Sequence, residues 1–137
     1  MNTNKKHGNE FEREFCQLLS QKGFWVLNIP QYSAGQPSDV IAVKDGQAYL
    51  IDCKVCSRRG FVLLRVEENQ KYAMQLWNEC GNGVGWFAIK TMSGEIWMMP
   101  LHILEMLKHQ KSTVNHNDLI KYGMTFERWV KQRCRYS

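Results

Sequence analysis

The residue types best suited to chemistry are two aspartates and a lysine that flank a predicted β-hairpin. Asp45-Gly46 is a preferred pair for a two-residue turn with positive φ, and such a turn fixes the register of the strands on either side. Counting back from the turn places Asp39 directly opposite Asp52, with Cβ atoms about 5 Å apart. Because side chains alternate along a strand, Lys54 lies on the same face as both carboxylates.

This pair of carboxylates predicts a metal site. Like charges directly opposite one another destabilise a strand pair, and a divalent cation with oxygen ligands relieves that repulsion. Mg²⁺ typically takes one or two protein carboxylates and completes its shell with water and substrate phosphate. Lys54 then holds an attacking water or stabilises charge on the phosphate. The alternative is that Asp39 only begins a strand after Pro37, while Asp52 and Lys54 form a surface ion pair. Apolar residues on both faces of the hairpin favour the metal site.

A third acid, Glu12, lies on a helix predicted from Asn9 to Lys22. The helix is inferred from an apolar stripe with helical spacing, formed by Phe11, Phe15, Leu18 and Leu19. Glu12 borders this stripe and is therefore a candidate for the same site. The alternative is N-terminal capping, because Asn9 followed three residues later by Glu12 resembles a capping box.

The other elements predict an α/β or α+β fold with a central mixed sheet flanked by helices. They are a strand Phe24–Ile29, the hairpin Asp39–Lys44 and Gln47–Lys54, a helix Glu67–Cys80, a second hairpin of Val84–Thr91 and Glu95–Met99, and helices Leu101–His109 and Thr125–Arg133. On the helix 67–80, one side is expected to carry Tyr72, Ala73, Leu76 and Trp77. Residues 110–118 are polar and predicted to form a loose loop. The expected organisation is one domain over 1–109, followed by a loop and basic C-terminal helical extension over 110–137.

Composition excludes disordered, fibrous and membrane-spanning classes. The chain has 137 residues, 44% hydrophobic and 23% charged, as in ordinary globular domains, and no apolar run approaches the ~20 residues of a membrane span. Without a signal peptide at the N-terminus, we expect a cytoplasmic protein whose five cysteines are free thiols. The net charge is +5, with seven basic and three acidic residues in 101–137, which favours a polyanionic partner such as nucleic acid.

The C-x-x-C pair Cys53 and Cys56 does not predict zinc or redox chemistry. An offset of three along a strand sends the two thiols to opposite faces, and the other cysteines and the histidines lack zinc-ligand spacing.

A Glu-bearing helix followed by Asp39 and by Asp52-Cys53-Lys54 resembles the PD-(D/E)xK nuclease superfamily, whose fold is restriction-endonuclease-like. More narrowly, the chain is similar to archaeal-type Holliday junction resolvases over about residues 5–100, and the likeness stops beyond His109. The similar segments are Gly8-Asn9-Glu10-Phe11-Glu12-Arg13-Glu14, Lys22-Gly23-Phe24, Asp39-Val40-Ile41-Ala42 and Ile51-Asp52-Cys53-Lys54-Val55. The chain departs from these resolvases at Asp52, where they usually carry Glu; the reach is one methylene shorter, but the ligand type is kept.

This resemblance implies hydrolysis of a phosphodiester in four-way DNA junctions, in recombination and repair, by a homodimer that uses Mg²⁺ or, alternatively, Mn²⁺. The implied active-site residues are Glu12, Asp39, Asp52, Lys54 and Gln70. Asp39, Asp52 and the Cys53 carbonyl would hold the metal, and Glu12 would act through a second ion or a water. DNA contacts are expected from Tyr32, Ser33, Arg58, Arg59 and Arg65.

Two other functions are compatible with the same residues. One is a different nuclease of the superfamily, structure-specific, repair or restriction-type, with the same fold and site. The other is a non-catalytic DNA-binding module with a decayed nuclease fold. The intact set of three acids and a lysine argues against the second, because a decayed site is expected to lose at least one member.

Overall fold

The computed structural model describes the backbone of residues 3–30 and 38–133 and, within these ranges, the side chains from residue 8 onward. Its helices are α1 (Thr3–Gln21), α2 (Glu68–Trp77), α3 (Leu101–Lys108), α4 (His116–Tyr122) and α5 (Phe126–Arg133). Its strands are β1 (Trp25–Asn28), β2 (Val40–Lys44), β3 (Gln47–Val55), β4 (Phe61–Val62), β5 (Trp86–Lys90), β6 (Ile96–Pro100), β7 (Thr113–Val114) and β8 (Met124–Thr125). Within the described ranges, no helix is long and apolar enough to cross a membrane.

The strands form a mixed six-stranded sheet in the order β1-β2-β3-β5-β6-β8. β3 and β5 are parallel, and the other neighbouring strands are antiparallel. β4 and β7 form a separate two-stranded sheet. The predicted fold class, a mixed sheet flanked by helices, is confirmed.

Both faces of the sheet are covered, as the apolar hairpin predicts. On one face, α1 and α5 pack through a cluster that includes Phe11, Phe15, Leu19, Phe126 and Trp129. On the other face, α2, α3 and α4 pack through Met74, Leu101, Leu104, Leu107 and Leu119. Every helix therefore buries an apolar stripe against the sheet, and β3 lies between the two layers.

The segment beyond residue 109 contributes to this core. Trp129 of α5 is fully buried. Its ring stacks on Phe24 at 5.8 Å and meets Tyr49 edge-on at 5.2 Å, measured between ring centroids. Phe126, Trp129 and Val130 of α5 are all buried.

Three predictions, two about helices and one about a loop, are wrong. α1 begins at Thr3 and not at Asn9, so Asn9 lies inside the helix and the capping alternative for Glu12 is excluded. On α2 the buried residues are Gln70 and Met74, whereas Tyr72 and Leu76 are 70% and 48% exposed.

The third wrong prediction is the loose loop over 110–118. This segment forms β7 and the first turn of α4, where Asn115 caps the helix by accepting the Asp118 N–H at 3.0 Å. Val114 is fully buried against Phe61 of β4. A polar segment thus acquires structure because its few apolar side chains complete the second core cluster.

Candidate active site

The β2–β3 turn sets the register of the site. Asp45 and Gly46 have φ of 52° and 77°, the left-handed values that a type I′ turn requires. Pairing runs from Lys44 opposite Gln47 to Val40 opposite Ile51. The predicted register is confirmed, and it brings Asp39 and Asp52 to the same end of the strand pair.

Asp39 is held at the start of β2 by the backbone of β3. Its Oδ2 accepts the Cys53 N–H at 2.7 Å, and its own N–H donates to the Ile51 carbonyl at 3.3 Å. The preceding Ser38, 1% exposed, donates its hydroxyl to the same carbonyl at 2.9 Å. Sequence analysis did not single out Ser38; its only signal is a hydroxyl residue directly before an acid at a strand start.

Asp52 is fully buried in the middle of the sheet. Gln70 Nε2 donates to its Oδ1 at 3.1 Å, and Lys54 Nζ lies 3.1 Å from its Oδ2. Burial raises the pKa of Asp52 well above its usual value, and the nearby charge of Asp39 raises it further, whereas Lys54 lowers it. The carboxylate is therefore short of positive charge even with Lys54 in contact.

Glu12 reaches the same end of the sheet from α1, where it is half-buried. Burial raises its pKa to about 7, and both the charge of Asp39 and a hydrogen bond with Asp39 add to that rise. The positive charge of Lys54 lowers the pKa of Glu12. Three acids and one lysine thus share one small volume, although they come from three different elements.

The donor set fits a hard divalent cation. The nearby groups are carboxylate oxygens, which are the ligands that Mg²⁺ and Mn²⁺ prefer. Burial and the neighbouring negative charge of Asp39 raise the pKa of both Glu12 and Asp52, and a bound cation would relieve that repulsion. Among the described residues, no three Asp, Glu, His or Cys side chains lie close enough to hold an ion by themselves. A cation bound here would therefore be held by two carboxylates, a backbone carbonyl oxygen and water molecules. The Cys53 carbonyl is suitably directed, because it points to the same side of β3 as the Cys53 N–H that meets Asp39.

The two thiols of the C-x-x-C pair lie on opposite faces, as predicted. Cys53 belongs to the core cluster beneath α1, and Cys56 belongs to the cluster beneath α2 and α3. Burial raises the pKa of both thiols, that of Cys56 to about 11, so neither is an activated nucleophile.

Gln70 connects α2 to the site. Its side-chain oxygen accepts the Glu67 N–H at 3.3 Å as part of a capping box, and its amide nitrogen faces Asp52. The side chain is fixed at both ends and is only 6% exposed. The structure therefore brings Gln70 together with Glu12, Asp39, Asp52 and Lys54.

The candidate DNA-binding arginines lie beyond the end of β3. Arg58 and Arg59 are exposed in the turn between Ser57 and Gly60. The Arg65 guanidinium donates to the Val55 carbonyl and lies over the Phe61 ring. Tyr32 and Ser33 lie outside the described residues.

A further contact at this edge was not predicted. Lys90, the last residue of β5, pairs with Glu14 of α1 at 2.6 Å and lies 5.7 Å from the Phe11 ring centroid. β5 runs parallel to β3, so Lys90 lies at the same edge as Lys54. The pair ties the turn of α1 that carries Glu12 to the sheet; neither residue has a local sequence signal for this contact.

Comparison with known proteins identifies the group to which the chain is similar. The model of the archaeal Holliday junction resolvase (Hjc) family matches residues 3–135. The crossover junction endodeoxyribonuclease Hjc of Methanocaldococcus jannaschii is 30% identical over 96 residues, 69% of this chain and 67% of that protein. The structure of Archaeoglobus fulgidus Hjc, a Holliday junction resolvase from an archaeal hyperthermophile, has a similar fold, with a TM-score of 0.69, 16% identity, and coverage of 90% of this chain and 98% of that chain.

The family match corrects the limit of the resemblance, because it extends to residue 135 and not only to His109. It confirms the predicted superfamily and the predicted class of enzyme, a nuclease that cuts DNA internally. This chain belongs to the archaeal Holliday junction resolvase family within the PD-(D/E)xK nucleases.

Proposed function

We propose that this protein is a Mg²⁺-dependent endonuclease that resolves four-way DNA junctions by hydrolysing phosphodiester bonds. The observation that carries the proposal is the meeting of Glu12, Asp39 and Asp52 around Lys54 at one end of the sheet. The junction as substrate is supported by the family and by the M. jannaschii relative, which is a crossover junction endodeoxyribonuclease.

The nucleases of this family are metal-dependent, and we assign the ion as Mg²⁺, with Mn²⁺ as an alternative. Asp39, Asp52 and the Cys53 carbonyl would hold the ion, and Glu12 would contribute through water. When bound, the ion polarises a phosphoryl oxygen and lowers the pKa of a coordinated water. All the named donors are oxygen atoms, which favours these ions over zinc.

Lys54 and Gln70 support the carboxylates in different ways. The Lys54 ammonium, 12% exposed and 3.1 Å from Asp52, orients the attacking water and balances charge on the phosphate. Gln70 acts as a positioning residue, since its amide holds one oxygen of Asp52 and leaves the other directed toward Lys54. Both roles depend on a site that excludes most bulk water, as the burial of Asp52 implies.

DNA is held at the same edge by arginines. Exposed Arg58 and Arg59 meet the phosphate backbone, and Arg65 extends the basic surface toward α2. Tyr32 and Ser33, in the segment before Asp39, remain predicted DNA contacts.

We also propose a homodimer. A four-way junction has two equivalent strands to cut, and the described residues of one chain contain a single cluster of this kind. The outer face of edge strand β1 supports this proposal, because Trp25 and Leu27 are 61% and 43% exposed while Val26 packs against the core. Solvent-exposed tryptophan on a sheet edge is typical of a contact surface.

The decisive experiment compares cleavage of a labelled four-way junction with cleavage of linear duplex of the same sequence. It uses Mg²⁺, EDTA and the variant Asp52→Asn. We expect paired symmetric nicks on the junction alone, abolished by EDTA and at least about 100-fold slower in Asp52→Asn, because the loss of a metal ligand removes several kcal/mol of transition-state stabilisation. The matched control is Asp118→Asn, a buried aspartate that pairs with Lys111 away from the site.

The two alternative functions, another nuclease of the superfamily and a non-catalytic DNA-binding module, predict different results in this experiment. Metal-dependent cutting of linear or flapped DNA would replace the junction resolvase with another nuclease of the superfamily. Junction binding without metal-dependent cutting would favour the non-catalytic module.

A further inference from the structure

Leu64 is an exposed apolar side chain in the turn between β4 and α2. It is 79% exposed, the highest fraction among the large exposed hydrophobic side chains of the described residues. Its neighbours in the 3₁₀ turn Leu63–Arg65 behave differently, since Leu63 is 1% exposed and Val66, directly after the turn, is 7% exposed. The chain therefore turns one leucine outward between two residues that anchor it in the core.

The turn that carries Leu64 is held from both sides. The Leu63 N–H donates to the Ser112 carbonyl at 2.9 Å, and the Val66 N–H donates to the Leu63 carbonyl at 3.1 Å. The Arg65 side chain is bound to the Val55 carbonyl. An exposed side chain on a fixed backbone loses little entropy on binding, which is the property of a preorganised contact.

The position of the turn links it to the proposed chemistry. Val55, which accepts from Arg65, directly follows Lys54, and Gln70, which donates to Asp52, lies on the helix that begins just after the turn. The stretch from Leu64 to Gln70 spans at most about 20 Å even if extended. At a rise of about 3.4 Å per base pair, this distance places the backbone of Leu64 within roughly six base pairs of the backbone of Gln70, whose side chain contacts Asp52.

The charges around the turn suit nucleic acid. Arg58 and Arg59 are exposed at the same end of β3, and Arg65 is adjacent to Leu64. Of the neighbouring acids, Glu67 is engaged in the capping box of α2, and Glu68 lies in the first turn of that helix. An apolar tip flanked by arginines is the arrangement that proteins use to enter a base stack while they hold the phosphates.

We propose that Leu64 is a wedge that enters the opened base stack at the branch point of the DNA substrate and so determines the preference for branched over linear DNA. The inference rests on the proposed function. Inserting a side chain between two stacked bases costs the free energy of their stacking. This cost is smaller where stacking is already interrupted, as at a point of strand exchange. The wedge therefore favours binding of the junction and leaves binding of continuous duplex nearly unchanged.

The test uses a four-way junction with 2-aminopurine at the branch point, whose fluorescence rises when the base is unstacked. Binding is measured in EDTA, which prevents cleavage, with the wild type, Leu64→Ala, Leu64→Met and the control Ile120→Ala, a 58% exposed aliphatic side chain on α4. We expect the fluorescence rise to be lost in Leu64→Ala and kept in Leu64→Met and Ile120→Ala. We also expect the affinity for the junction, relative to the affinity for linear duplex in the same EDTA buffer, to fall about tenfold in Leu64→Ala.

The results separate the wedge from the proposed function. An unchanged fluorescence rise and an unchanged ratio of junction to duplex affinity in Leu64→Ala would overturn the wedge while the junction endonuclease stands. A wild-type protein that neither prefers nor cuts the junction would instead overturn the proposed function. Loss of folding is monitored by thermal unfolding, which is expected to be unchanged because Leu64 makes little contact with the core.

Discussion

Burial raises the pKa of two acids of the site, Asp52 and Glu12, which are buried to different degrees. Asp52 lies inside the sheet, and Glu12 lies at the half-buried border of α1, where burial raises its pKa to about 7. Without metal, Glu12 in the folded protein keeps a proton that the unfolded chain releases near 4.5. Folding stability therefore decreases as the pH rises from about 4.5 to 7, because the folded state binds more protons over this window.

Metal binding is expected to reverse this trend. The carboxylates bind a cation in their ionised form, so binding releases protons and strengthens with pH. We expect Mg²⁺ to raise the midpoint of thermal unfolding by several degrees at pH 8 and by much less at pH 5.5. Without metal, the Glu12→Gln variant should lose less folding stability between pH 4.5 and about 7 than the wild type does. An equal effect of Mg²⁺ at both pH values would show that the ion does not bind at these acids.

Lys54 affects both the rate and its pH dependence. It lowers the pKa of Asp52 and of Glu12, so its removal should raise both and shift the rise of the pH–rate profile to higher pH. We expect Lys54→Met to lower kcat for junction cleavage about 100-fold, with little change in the Kd for DNA. The control Lys111→Met removes a lysine that pairs with Asp118 at 2.7 Å. A parallel loss in both variants would indicate a general structural effect and not a catalytic one.

At the scale of elements, the distance of α2 from the sheet determines whether the Gln70 side chain reaches Asp52. A Cβ placed on Gly85 would lie 2.3 Å from Met74 Cγ and 2.7 Å from Met74 Cβ. The Met74 Cβ is fixed to the backbone of α2. Gly85→Ala is therefore expected to push α2 away from the sheet and to lengthen the hydrogen bond from Gln70 to Asp52. Overpacking of this kind costs about 1–3 kcal/mol of stability.

We therefore expect Gly85→Ala to lower junction cleavage by more than its loss of stability explains, measured per folded molecule. Met74→Ala in the same chain should restore part of the activity, because it removes the atoms that clash. Gly123→Ala is the matched control, since its Cβ would lie 2.9 Å from the Leu119 carbonyl oxygen of α4 and has no atom of α2 among its nearest neighbours. Equal losses in the two glycine variants would contradict a role for the position of α2.

At the scale of the whole molecule, the exposed edge strand β1 predicts the oligomeric state. We expect sedimentation equilibrium to give twice the chain mass of 16.1 kDa. Replacing Trp25 and Leu27 together by Asp should give a monomer that makes single nicks in place of paired ones, because each chain keeps its own acids. Ile120→Asp is the control for an added surface charge. A wild-type monomer that makes paired nicks would exclude the dimer.

The site could be predicted where it depends on local rules. The Asp45-Gly46 turn has only one favourable geometry for joining two strands, and strand alternation then sets Asp39, Asp52 and Lys54 side by side. The apolar stripe of α1 likewise predicts which residues are buried, because helical spacing is a property of the backbone.

Prediction failed where remote packing decides. The apolar residues Tyr72 and Leu76 predict the wrong buried side of α2, because a polar residue, Gln70, is turned inward toward Asp52. The early start of α1 had no strong local signal. In residues 110–118, the capping-box spacing of Asn115 and Asp118 was a local signal for α4 that the prediction of a loop did not use. Ser38 and Lys90 were missed because their partners lie elsewhere in the chain.

The sequence by itself determined the family, the register of the central hairpin and the chemical types of the acids and the lysine. The family follows from the resemblance of the segments that carry these residues, and the register follows from the geometry of the Asp45-Gly46 turn. Only the tertiary structure decided that Glu12 meets Asp39 with a pKa near 7, that Gln70 binds Asp52, and that Leu64 faces outward. Desolvation and contact depend on elements far apart in sequence, and their energies exist only once the layers have packed.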